Sequence, residues 1–285
     1  MLVIIGYIIV FGSVLGGFVL AGGHLGVLVQ PVELIIIGGA ALGAFVIGNN
    51  TKTLKAAMVA LPTVLKGSAY TKQRYMETLT LMSNIFVTAR KKGLMGIEAD
   101  IDEPENSELF KAAPLVMKDH HAVEFLTDYL RLMVSGNLDV HEIDNLMDLD
   151  IDTHHHEGMK PIEALQKLAD GLPAFGIVAA VMGVVHTMES VGIPPAELGK
   201  LIAAALVGTF LGILLSYGVV APLTTLMEQK LNESTKYYQC IKTGLIAYLN
   251  GSPPPTAVEF ARKVLFSTER PKFAELEEHL RQNKG

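Results

Sequence analysis

From Leu172 to Pro222 the chain runs through two apolar segments, each bounded by proline, that carry glycines and a few hydroxyls but no carboxylate at mid-depth. Each is long enough for the ~20 apolar residues with which a helix crosses a hydrocarbon core ~30 Å thick. Two further segments precede them, Met1 to about Leu20 and about Leu34 to Ile47, joined by a link from Ala21 to Glu33 that is too short to be a domain. The chain therefore reads as an all-α integral membrane protein with four transmembrane helices. Residues 1–49 and 171–226 form two hairpins, 50–170 a helical cytoplasmic insert between the second and third helices, and 227–285 a helical cytoplasmic tail.

Composition follows the same division. Hydrophobic residues make up 50% of the chain and mean hydropathy is +0.37, while the 18% of charged residues fall almost wholly outside the four segments. No basic residue precedes the first segment and no persuasive small-residue cleavage site follows it, so it is expected to stay in the membrane. The single cysteine, Cys240, excludes an internal disulfide, and a thiol in a polar tail suits a reducing compartment. Lys and Arg resist translocation near a segment end. The first of the 23 basic residues is Lys52, and all the others except Lys200 lie in the insert or tail, so both termini and the insert are expected in the cytoplasm. A net charge of −6 and a pI near 5.8 argue against nucleic acid as a partner.

Helices associate in lipid through small residues that let backbones approach and polar side chains that bond across the interface. Segment one offers Gly12 and Gly16, segment two Gly39 and Gly43, segment three Ala179 and Gly183, and segment four a ladder of Ala204, Gly208, Gly212 and Ser216. These four sets point to a self-associating bundle. Thr209, Ser216 and Tyr217 fall on one helical face, where they either line a wet or partner-facing strip or, for the Thr and Ser, bond to a carbonyl one turn back. His186 either relays protons or bonds a loop carbonyl. Glu33, Glu189 and Glu197 are expected at the outer interface, solvated by water. A proton-driven machine keeps an ionisable carboxylate near mid-membrane. Without one, the chain either conducts nothing or sheathes a partner helix that supplies the acid.

The runs LPAFGIVAAVMGVVH from Leu172 to His186 and VGTFLGILL from Val207 to Leu215, with Tyr7, Gly22, Gly23, Gln30 and Pro31, resemble the MotA family of flagellar motor stator subunits, within the MotA/TolQ/ExbB proton channel family. The resemblance extends to YLRL from Tyr129 in the insert and to AVEF from Ala257 and STERP from Ser267 in the tail. It implies a multi-pass protein of the bacterial inner membrane, five copies of which surround a dimer of MotB. That partner would supply the ion-binding Asp and the anchor to peptidoglycan.

The resemblance also assigns roles. Pro173 and Pro222 match prolines at the cytoplasmic ends of the last two segments that convert ion flow into movement, and Asp170 matches an acid at the same junction. A proline also marks a helix boundary in its own right. Arg90 and Glu98 match charges that pair with the rotor protein FliG. Arg90, Lys91 and Lys92 also suit the carboxyl end of a helix closed by Gly93. Sodium-driven relatives carry Thr at the place of Ala180 beside that of Thr209, so one oxygen is missing here and the proton is the expected coupling ion. Together with Tyr217, these two positions form the expected ion path. His154, His155 and His156 are not family features. They fan over ~200° on a helix, cannot all bind one ion, and suit a solvated turn. The alternative function is that of an ExbB or TolQ energiser of outer-membrane processes, and a third class is a non-conducting membrane scaffold. No catalytic set, metal spacing or phosphate loop suggests an enzyme, and no cofactor is expected.

Overall fold

The computed structural model describes residues 2–189 and 192–282. Met1, where the first segment is expected to begin, and residues 283–285, where the tail ends, lie outside the described residues. Among those described there is no strand. The helices are α1 (Leu2–Leu20), α2 (Pro31–Ile47), α3 (Thr51–Val64), α4 (Lys72–Lys92), α5 (Glu98–Asp102), α6 (Glu108–Lys111), α7 (Pro114–Met117), α8 (His120–Ser135), α9 (Val140–Met188), α10 (Pro195–Leu215), α11 (Ala221–Leu249), α12 (Pro254–Val264) and α13 (Phe273–Gln282). Four helical stretches are long and apolar enough to cross a membrane: Leu2–Leu20, Leu25–Ile47, and parts of Val140–Met188 and Pro195–Leu249.

The chain divides into two compact units. One comprises the residues up to Gly67 with Glu157–Gln229, the other Ser68–His156 with the residues from Lys230 on. In the first, α1 ends in a glycine cap: Gly22 has φ +87°, and Gly23 N–H donates to Phe18 O at 2.9 Å. Only a residue without Cβ takes that conformation freely, so the cap turns the chain sharply into the link. Pro31 then starts α2, since its fixed φ suits the first turn and its missing N–H has no partner to lose there. Ile37 and Ala41 of α2 pack with Leu172 and Ala179 of α9, and Leu211 and Leu215 lie against them. The outer faces of α1 and α2 stay bare, with Leu20 and Ile47 about nine-tenths exposed. Gly12, Gly16, Gly39 and Gly43 have open space where a Cβ would stand, so these small residues meet no neighbour within the chain.

The second unit has a conventional core. Leu79, Met82, Phe86, Leu126, Leu130, Tyr237 and Ile241 are almost wholly buried together. Its helices α4 and α8 begin on side-chain caps: Thr71 accepts from Arg74 N–H, and Asp119 from Ala122 N–H. At the start of α9, Asp139 and Glu142 each accept the other's backbone N–H at 2.9 Å, a reciprocal capping box. Within the core, Arg74 is 5% exposed, pairs with Asp119, and lies 4.6 and 4.5 Å over the rings of Tyr70 and Tyr237. Burial pushes the Tyr237 hydroxyl up to about 12 despite the opposing charge of Arg74.

Candidate functional site

α9 and α10 meet along a seam with almost no side chain between them. A Cβ on Gly176 would lie 2.8 Å from Gly208 O, one on Gly212 would lie 2.6 Å from Leu172 O, and one on Gly183 would lie 2.7 Å from Ala205 Cβ. Such approaches suit only glycine, so the backbones themselves form the contact. Two members of the ladder in α10, Gly208 and Gly212, therefore pack within the chain, with Gly176 as the main counterpart of the second. A Cβ on Gly208 would also lie 3.2 Å from Ala180 N, which brings Ala180 to the level of Gly208 and its neighbour Thr209. Thr209 and Ala180 are both half-buried.

The strip of Thr209, Ser216 and Tyr217 needs correction. Ser216 is completely buried and Tyr217 is 66% exposed, so the two neighbours face different surroundings. Neighbours on a helix point ~100° apart, so at the start of the wide π turn over Ser216–Val220 one of the pair falls on the covered side and the other on the open side. The local bond to a carbonyl one turn back is also missing, because Ser216 Oγ meets no hydrogen-bond partner among the described residues.

Pro173 and Pro222 do not end their helices. Pro173 lies inside α9, and Pro222 is the second residue of α11, which continues from α10 through the π turn. Ala221 N–H reaches back to Ser216 O, five residues away, and Pro222 has no N–H to give. Widening the turn moves the carbonyl that the proline ring would strike. The Tyr7 hydroxyl of α1 adds a donor to this turn, at 3.1 Å from Val219 O.

Near these prolines a polar chain joins two helices. Thr224, 2% exposed, donates its hydroxyl to Gln166 Oε1 at 2.5 Å, and Gln166 Nε2 donates to Asp170 Oδ1 at 2.8 Å. Asp170 is itself exposed. Arg90 and Glu98 are also exposed, on opposite sides of the break at Gly93, whose φ of +78° turns the chain from α4 towards α5. Neither forms an ion pair among the described residues.

Other residues fall outside expectation. His154, His155 and His156 belong to α9 and not to a turn. His155 meets Thr235 Oγ1 at 2.9 Å, His156 meets Asp152 O at 2.7 Å, and the His154 ring lies 4.8 Å from that of Tyr238. No group of three or more metal-ligating side chains occurs among the described residues. His186 Nδ1 lies 3.8 Å from Glu189 Oε2, and Glu189 and Glu197 are exposed. Glu33 is different: it is buried, 9% exposed, inside α2 rather than solvated in the link. Its place in the sequence, two residues after a proline that can start a helix, was the signal available.

These features identify a bundle of membrane-spanning type, with a close-packed glycine seam and a polar helical unit. The family model for the Motility protein A N-terminal region matches residues 4–93, and that for the MotA/TolQ/ExbB proton channel family matches residues 117–240. The chain is 52% identical to Motility protein A of Salmonella typhimurium strain LT2 and 50% identical to that of Escherichia coli strain K12. Each comparison covers 99% of this chain and 95% of the relative. The fold also matches the flagellar MotAB stator complex from Bacillus subtilis with a TM-score of 0.77, at 26% identity over 95% of this chain and 98% of that one.

The chain belongs to the MotA/TolQ/ExbB proton channel family. Within it, the chain is a flagellar motor stator subunit, similar along nearly its whole length to Motility protein A, and a multi-pass membrane protein.

Proposed function

We propose that five copies of this subunit surround a MotB dimer, let protons pass along a path lined by the membrane hairpin of residues 171–226, and turn that flow into torque on the rotor protein FliG. In this reading Thr209, Ala180 and Tyr217 line the ion path, Pro173, Pro222 and Asp170 couple it to movement, and Arg90 and Glu98 engage the rotor. Residues 1–49 and 171–226 are the membrane hairpins, and residues 50–170 and 227–285 are cytoplasmic, as are both termini. MotB supplies the ion-binding Asp and the hold on peptidoglycan.

The observation that carries the reading is the placement of both prolines inside helices that continue past them. α9 contributes residues to both compact units, as does α11. A disturbance near Pro173 or Pro222 thus has a covalent, hydrogen-bonded path out of the apolar segment. Moving one charge through the membrane is worth ~2.3 kcal/mol per 100 mV, whereas swinging a two-state element from 1:99 to 99:1 takes about 5.5 kcal/mol. One proton therefore biases a step without making it irreversible. Exposed ion pairs contribute only ~0–1 kcal/mol, so Arg90 and Glu98 suit a contact that registers the rotor and releases it.

The test is swimming of a strain lacking its stator, complemented with this chain and its MotB. Motility should survive sodium removal, stop with a proton uncoupler, and weaken with Arg90→Glu. Failure to swim despite normal expression and insertion would overturn the reading in favour of a transport energiser.

A further inference from the structure

Glu33 has surroundings that nothing in the coupling scheme uses. A glutamate in the first turn of a helix ordinarily reaches water or a free backbone N–H. This one turns inward within the apolar stretch Leu25–Ile47, and its Oε2 is buried without a hydrogen-bond partner among the described residues. Two glycines leave it room. A Cβ on Gly208 of α10 would lie 2.9 Å from Oε2, and a Cβ on Gly183 of α9 would lie 3.7 Å from Oε1.

The cradle offers no counter-charge. The titratable residues of the apolar parts of α9 and α10, with Glu189 just after α9, are His186, Glu197 and Lys200; all four are exposed, and none forms an ion pair with Glu33 among the described residues. Thr187, the nearest buried hydroxyl along α9, already donates to Gly183 O at 2.8 Å. An isolated ionised carboxylate in apolar surroundings costs far more than a neutral carboxyl. Acids inside membrane helices accordingly mark sites that exchange protons or ions. A metal cation would need several oxygen ligands at once, and only the one carboxyl is available here.

We propose that Glu33 is a proton-binding site of this subunit, held open by Gly183 and Gly208. A hydronium ion gives its proton to the carboxylate, an O–H bond forms, and water leaves; release is the reverse. In the conducting complex, a reading on which this role rests, the site is a station on the proton path in addition to any acid of the partner.

The full chain is assembled with its MotB in lipid nanodiscs, and infrared difference spectra are taken between two pH values. The expected result is a protonated-carboxyl band that Glu33→Gln abolishes and Glu33→Asp retains at a shifted position, with ring assembly unchanged by size. A band of unchanged strength in Glu33→Gln overturns the proposal. Proton flux into liposomes is measured in parallel. Flux lost in Glu33→Gln places the site on the path. If wild type carries no flux while the band behaves as expected, Glu33 still binds its proton and it is the conduction reading that fails.

Discussion

The hydroxyl of Thr224 in α11 donates to Gln166 Oε1 in α9, and the assignment of that amide is forced by its other end. An ionised Asp170 only accepts, so the amide nitrogen must face it and the amide oxygen must face Thr224. The hydroxyl can also reach Ala221 O at 2.8 Å, but only the bond to Gln166 ties the two helices together. Thr224→Val should cost about 1 kcal/mol and Thr224→Ser close to nothing. A cycle with Gln166→Leu, read by thermal unfolding of the full chain in detergent, should show a coupling of about 1 kcal/mol. Strict additivity would mean that the pair does not hold the helices.

Tyr7 supports the π turn in front of Pro222 from a different helix. Tyr7→Phe keeps the ring and removes only the donor to Val219 O, so a loss of about 1 kcal/mol is expected. Pro222→Ala restores the missing N–H and lets the turn close to ordinary helical spacing, after which the hydroxyl should matter less. Unfolding midpoints of the four combinations check this. An equal effect of Tyr7→Phe with and without Pro222 would separate the two features.

Arg74 is the charge on which the polar unit most depends. Its pairing with Asp119 and its place over Tyr70 and Tyr237 leave it 5% exposed. Arg74→Met fits the space but strands the Asp119 carboxylate, whose side chain is 19% exposed, and breaking such a pair costs about 3–5 kcal/mol. Replacing both partners, Arg74→Met with Asp119→Ser, should recover much of that loss, because Ser can still cap α8. With no Trp among the residues, tyrosine emission during denaturation is the probe.

What the sequence disclosed follows from how local each signal is. The four apolar stretches were legible because ~20 apolar residues in a row can do little else than cross a membrane. Glu33 was misplaced because a carboxylate reads as the end of an apolar segment, whereas Pro31 had already begun the helix. Pro173 and Pro222 read as boundaries because an interior proline costs ~3 kcal/mol, a cost that the surrounding packing here outweighs. Ser216 and Tyr217 parted because neighbours on a helix point ~100° apart, and the local pattern does not say which side of the pair is covered. The contact of Thr78 with Tyr237, 159 residues apart, lies beyond any local pattern. The glycine ladder fell in between: its spacing announced a close approach, but the partner residue Gly176 emerged only with the fold.

Cys240 provides a test of how firmly the tail packs with the insert. The thiol is fully buried beside Ile241 and Tyr237, and burial pushes it up to about 12. Only the thiolate attacks alkylating reagents, and burial leaves less of it at neutral pH than an ordinary cysteine has. Access is blocked as well. Labelling of the native chain with a maleimide should therefore be very slow, and should approach the rate of a free thiol once denaturant opens the unit. Arg74→Met should accelerate labelling under native conditions, because a less stable core opens more often and exposes the thiol each time. Rapid labelling of the native wild type would mean that α11 does not stay packed against α4.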